Sequence, residues 1–173
     1  MRRLTIVSIA AGVMLALAMT AVHTTVRAQG NATILKPAEL EKLVPATVFY
    51  RGQAATTQLR NSGGIKFGDG YLVLAMAVDT SGYSSAVTAK YQAYFINETP
   101  IQVGGKKLAT GVYGIGFIAN NKFLVTDVGA HDVLTVDSAT DSNLQHPRPL
   151  EVVADPSGGF RLYVGRRYVV LSR

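Results

Sequence analysis

The stretch Val103 to Val136, VGGKKLATGVYGIGFIANNKFLVTDVGAHDVLTV, leaves the chain little choice of secondary structure. Its middle, Tyr113-Gly114-Ile115-Gly116-Phe117, alternates large apolar residues with glycine. In a strand, successive side chains point to opposite faces, so Tyr113, Ile115 and Phe117 line one face and bare backbone at Gly114 and Gly116 lines the other. Asn120-Asn121 tolerates left-handed turn geometry, and Lys122 to Val128 reads as the return strand of a hairpin. Gly129-Ala130-His131-Asp132 turns the chain again into Val133 to Val136. Glycine weakens a strand interior through backbone entropy and lost packing. Two of them on one face therefore predict a close neighbour there: an aromatic from another strand, a short helix, or a ligand.

The remainder repeats strands and turns at short intervals. Lys36 to Val44 is the one clear helix, with Pro37 suited to its first position and Pro45 to its end. Thr47–Tyr50 and Ala55–Arg60 read as strands, and Asn61-Ser62-Gly63-Gly64 as a turn leading into Ile65–Phe67. Tyr71 to Val78 is apolar throughout, which fits a strand buried on both faces or a buried helix. From Val87 to Phe95, apolar and polar residues alternate as in a long half-buried strand, followed by a hairpin about Gly104-Gly105. A polar connection from Asp137 to Pro149 leads to a final meander ending at Leu171. Strands at this spacing predict a mainly β domain, either an antiparallel β-barrel or a two-sheet β-sandwich of about ten short strands with one short N-terminal helix.

The first residues point to export. A basic start at Arg2-Arg3, an apolar run from Leu4 to Met19 and Val26-Arg27-Ala28 have the order of a cleavable signal peptide, residues 1–28. The run is shorter than the roughly 20 residues a spanning helix prefers, so no membrane span is expected after cleavage. A single domain then occupies 29–173, long enough to bury its own core. The chain has no Cys, so neither disulfides nor thiolate metal sites contribute. Removing Arg2, Arg3 and Arg27 takes the formal charge from +6 to +3. Arg161, Arg166, Arg167 and Arg173 cluster near the C-terminus, where they read as the solvated face of edge strands rather than as a nucleic-acid surface.

The segments GQAATTQLRNSGGIKF, VDTSGYSS, GVYGIGF and DVGAHDVLTV resemble a group of small exported bacterial proteins of uncharacterised role. That resemblance spans most of the chain after the signal and implies a periplasmic or extracellular location, with no activity attached.

Few residues carry recognisable chemistry. His131, beside Asp132 and four residues after Asp127, reads first as part of a polar β-turn, with a metal site or an acid-oriented base as the alternative. His146 lies in a polar connection. Asp137 to Asn143 offers oxygen ligands but lacks the glycine and terminal glutamate of a calcium loop. Ser81, Ser84 and Ser85 sit in no nucleophile elbow, and phosphate-loop and dinucleotide fingerprints are missing, so no cofactor is expected. Tyr83, Tyr91, Tyr94 and Tyr113 are candidates to line a cavity with Gly114 and Gly116, or else belong to the core. The leading expectation is a non-enzymatic envelope protein binding a small apolar ligand. The alternatives are a structural or protein-binding envelope component and, behind both, a hydrolase or metal-dependent enzyme around His131.

Overall fold

The apolar run beginning at Tyr71 is a strand with both faces covered, and the rest of the molecule is arranged as two layers on its two sides. The computed structural model describes residues 32–173. The expected signal, residues 1–28, lies outside them. In chain order the elements are β1 (Thr33–Ile34), α1 (Pro37–Leu43), β2 (Thr47–Tyr50), β3 (Gln53–Lys66), β4 (Leu72–Val78), α2 (Ser85–Thr88), β5 (Ala93–Asn97) and β6 (Ile101–Val103). They continue with β7 (Lys106–Leu108), β8 (Gly111–Ile118), β9 (Lys122–Thr126), β10 (Asp132–Asp137), β11 (Ala139–Thr140), β12 (Arg148–Ala154), β13 (Phe160–Gly165) and β14 (Arg167–Ser172). No helix among these residues is long and apolar enough to cross a membrane.

Every pairing is antiparallel. The larger sheet has the order β1-β3-β4-β5-β8-β9-β10, with β2 added on β3; the smaller has β12-β13-β14-β6-β7, with β11 added on β14. The strands do not close into one barrel, and the two-sheet arrangement is the one that fits. One core fills the space between the sheets. Val73, Ala75, Phe95, Tyr113, Ile115 and Phe117 from the larger sheet meet Leu150, Val152, Leu162 and Leu171 from the smaller. Burial of this apolar area is the main stabilising term.

The larger sheet has a second apolar face turned away from that core. Leu74, Met76, Val78 and Tyr94 project there and are covered by Leu35, Leu40 of α1, Val48 and Tyr50 of β2, Val87 of α2 and Tyr91 just beyond it. This three-layer arrangement is why β4 is apolar on both faces. Helix α1 forms where expected: Pro37 opens it, the Lys36 N–H donates to Glu39 Oε2 at 2.8 Å, and Leu40 is its buried contact.

Two expected elements differ. Asn61-Ser62-Gly63-Gly64 is not a turn, because β3 runs unbroken from Gln53 to Lys66. Its register against β4 jumps between Gln58 and Ser62, so Leu59-Arg60-Asn61 bulge out, tied by Asn61 Nδ2 to Gln58 Oε1 at 2.6 Å. The glycines after the bulge serve close approach, not turning. A Cβ on Gly63 would meet the Val152 backbone nitrogen at 2.7 Å, and one on Gly64 the side chain of Leu35 at 2.7 Å.

The second correction concerns Val87 to Phe95. Ser85 to Thr88 is helical, the turn continues with Tyr91 N–H donating to Val87 O at 2.8 Å, and the strand begins only at Ala93. Val87 and Tyr91 stand four apart, a spacing that shares a face in a helix and in a strand alike. Ala89, inward on the strand reading, is exposed. Gln92 marks the junction. Its side-chain amide exchanges two hydrogen bonds with the Phe117 peptide, each 3.0 Å, as a main-chain unit of a neighbouring strand would.

The C-terminal arginines are individually tied down. Arg161 pairs with buried Asp155 and lies over Tyr168, and Arg166 donates to Gln145 O at 2.8 Å. Arg167 donates to the carbonyls of Ile118 and Phe117 at 2.8 and 2.7 Å, and Arg173 pairs with Asp69 at 2.5 Å. These groups stitch strand ends rather than forming an open basic face.

Candidate ligand-binding site

The glycine face of β8 is occupied, and by this protein's own residues. The Tyr50 ring lies on Gly114, where an added Cβ would stand 2.5 Å from Cε2. The Lys90 carbonyl lies on Gly116, where an added Cβ would stand 2.2 Å from its oxygen. Tyr50 stacks on Tyr91 with centroids 3.7 Å apart, and Tyr83 packs edge-on against both. The close neighbour foreseen from Gly114 and Gly116 is therefore an aromatic from another strand together with a turn of backbone.

The tyrosines are divided. Tyr91 and Tyr94 belong to the outer layer with Tyr50, whereas Tyr113 lies in the core between the sheets. The Tyr113 hydroxyl donates to Ala109 O at 3.0 Å. Tyr91, Tyr94 and Tyr113 thus do not line one cavity. Burial pushes the Tyr91 hydroxyl well above the usual tyrosine range, so it is neutral, and it is left without a hydrogen-bond partner.

Above the tyrosine stack the surface dips into a hollow of about 200 Å³ lined by Tyr50, Arg51, Ala86, Val87, Lys90, Thr126 and Ala130. Its floor holds a buried pair of hydroxyls: Tyr50 OH lies 2.7 Å from Thr126 Oγ1, which in turn donates to Gly114 O at 3.2 Å. With that proton committed to Gly114, Tyr50 donates to Thr126. Burial, before any other cause, raises the Tyr50 pKa and keeps its proton in place. Arg51 and Lys90 stand at the rim; Lys90 also pairs with Asp132 at 3.2 Å.

Two loops shape the walls. The β2–β3 hairpin turns at Arg51-Gly52 with φ of 48° and 79°, the doubly left-handed turn that suits a two-residue hairpin. The Arg51 N–H donates to Val128 O at 2.7 Å and locks this tip to the β9–β10 loop. In that loop Ala130 has φ 71°, a left-handed geometry that costs a residue with a Cβ roughly 1–2 kcal/mol. Asp127 holds it there. Its Oδ1 accepts the N–H groups of Gly129 and His131, each at 2.9 Å, and its Oδ2 lies 3.0 Å from His131 Nδ1.

Asp127 and His131 therefore form a loop tie with a His131 side chain that is 82% exposed, while Asp132 turns to Lys90. Among the described residues no three His, Cys, Asp or Glu side chains gather as a metal-holding group. The hydrogen bonds from the His131 backbone and ring hold the Asp127 carboxyl below its ordinary range. A carboxyl depressed in the folded state adds stability above its unfolded pKa of about 3.9 and loses it as the pH falls through the folded value. Protection of the Gly129 and His131 amides against hydrogen exchange should accordingly stay level down to about pH 4 and drop below it. In Asp127→Asn that acid step should vanish; a drop of equal size in the variant would mean that Asp127 does not govern the loop.

Sequence reasoning named Asp127, His131 and Asp132 in the loop beside the hollow but missed Tyr50, Arg51, Lys90 and Thr126. Arg51-Gly52 was the one readable signal, since glycine following a strand marks a hairpin. Two larger hollows lie elsewhere. One of about 410 Å³ is lined by Thr99, Pro100, Ile101, Gln102, Lys107 and Arg173, and one of about 580 Å³ lies between α1 and the β3 bulge. No protein-family model, no curated protein and no solved structure matches this chain.

Proposed function

We propose that this protein is an exported, non-enzymatic β-domain that binds a small molecule in the hollow over Tyr50, on the outer face of the larger sheet. One observation carries the reading. Of the four non-glycine residues with positive φ among those described, two, Arg51 and Ala130, line this single hollow. Backbone strain of this kind collects at ligand clamps, where surrounding structure holds residues in costly geometry. The polar and apolar lining agrees, since binding sites combine apolar walls with a few convergent polar groups. The ligand envisaged from the sequence sat deep in the domain against Gly114 and Gly116; the space there is filled, and the reading moves the ligand outward by one layer.

The test is native mass spectrometry of the protein recovered from its own exported fraction, beside Ala86→Phe. Ala86 is exposed, so a phenylalanine there fills the hollow without disturbing the core. A small-molecule adduct on the wild type that is lost from the variant supports the reading. Equal adducts on both, or none on either, count against it. The second reading, a partner-binding envelope component, draws on Phe49, 62% exposed on the short edge strand β2.

A further inference from the structure

The charged groups around this hollow are not all partnered, and the one left over identifies a chemical class. Lys90 and Asp132 neutralise one another at 3.2 Å. Asp127 is engaged by the Gly129 and His131 amides and by the His131 ring. Arg51 is left. Its guanidinium, like that of Arg60 on the distant β3 bulge, has neither an ion pair nor a hydrogen bond among the described residues, whereas Arg148, Arg161, Arg166, Arg167 and Arg173 are each bound to a carboxylate or carbonyl. Its backbone, by contrast, is held firmly by the hairpin turn and by Val128 O. A fixed backbone carrying an unspent, permanently charged fork is an arrangement suited to a carboxylate.

From this, and resting on the binding reading above, we infer that the ligand is a small monocarboxylic acid with an apolar body. Its carboxylate lies on Arg51 at the rim, and its body lies against the Tyr50 ring, Val87, Ala86 and Ala130. The hydroxyls of the floor are not donors to it, because their protons are already placed on Thr126 and Gly114 O. One unpartnered cation matches one negative charge. A doubly charged phosphate would face Asp127 and Asp132 across the loop and gain less. The volume, about 200 Å³, is that of roughly seven waters, which suits an acid of about six to ten non-hydrogen atoms.

The experiment is a calorimetric and amide-shift titration of the exported chain with hexanoate and benzoate, with hexanamide and benzamide as neutral isosteres, and with inorganic phosphate. Expected is binding of the acids about tenfold tighter than of their amides, weakened by salt, with phosphate weaker still. Arg51→Gln should remove that tenfold preference and leave amide binding unchanged. Asp132→Asn, which frees Lys90, should tighten the acids several-fold, an effect that a merely disturbed fold would not produce. If amides bind as well as acids, or if Arg51→Gln leaves the acid unaffected, the carboxylate assignment is overturned while the hollow still binds. If no probe shifts any residue of the hollow, the binding reading falls with it.

Discussion

Gly116→Ala is expected to cost about 3 kcal/mol or more, the largest loss for the smallest change available in this chain. The new methyl would stand 2.2 Å from the Lys90 carbonyl oxygen and 2.8 Å from its carbon. A side chain in that position could swing aside; a backbone carbonyl cannot do so without moving the segment that carries it. That segment is anchored on both sides, by Tyr91 N–H on Val87 O and by the two hydrogen bonds from Gln92 to Phe117. Relieving the clash means unseating the strap, with Tyr91 and its apolar contacts. Thermal melts should register a drop of roughly 6–12 °C. Gly82→Ala serves as the contrast: its methyl would meet only Gln53 Oε1, at 3.5 Å, and should be neutral or slightly stabilising through lost chain entropy. Equal melts for the two variants would mean that the strap does not press on β8.

Gly114→Ala should cost about 2–3 kcal/mol for a different reason, and the difference is measurable. Here the obstacle is the Tyr50 ring, 2.5 Å from the new methyl and wedged against Tyr91. Tyr50→Ala alone should cost about 3–5 kcal/mol, since it removes a fully buried ring and leaves the Thr126 hydroxyl without that partner. In the Tyr50→Ala background only Thr126 Oγ1 still faces the new methyl, at 2.8 Å, so adding Gly114→Ala should cost less than it does beside the ring. The double variant should therefore be more stable than the sum of the two losses by about 2 kcal/mol. Denaturant titrations of the four proteins give this coupling directly. Simple additivity would show that the ring and the glycine are not in register and would remove the explanation for Gly114.

What could be read beforehand follows the range of the physics involved. Period-2 alternation is a local property, and it put Tyr113, Ile115 and Phe117 on one buried face, where they are. The apolar run Tyr71–Val78 fitted a strand covered on both sides or a buried helix, and it forms the strand Leu72–Val78, while Pro37 announced the helix start. Local patterns failed where two of them coincide. Val87 and Tyr91 satisfy helix and strand spacing equally, and Gly63-Gly64 has the composition of a turn while meeting the needs of close packing. The candidate site was least legible. Its loop residues Asp127, His131 and Asp132 drew attention by type, but their roles are to hold a turn and to pair with Lys90. Tyr50 and Thr126 are ordinary strand residues in sequence, and only the folding of the β2–β3 hairpin across the larger sheet makes them neighbours.

The β6–β7 hairpin carries a consequence for the order of folding. It lies in sequence between β5 and β8, which pair with each other in the larger sheet, yet it belongs to the smaller one through β14, the last of the described strands. Among the described residues, Leu171 and Ser172 opposite Val103 and Gln102 are its only link to that sheet through strand pairing. The larger sheet can thus assemble from successive neighbours while Ile101 and Val103 wait for a partner more than sixty residues later in sequence. Such long-range closure belongs to the slow topologies, which settle in milliseconds to seconds. Until β14 arrives, Ile101 and Val103 lack their partner in the smaller sheet, and a chain ending short of Arg167 would leave them so. Completion of the smaller sheet is timed by the arrival of β14.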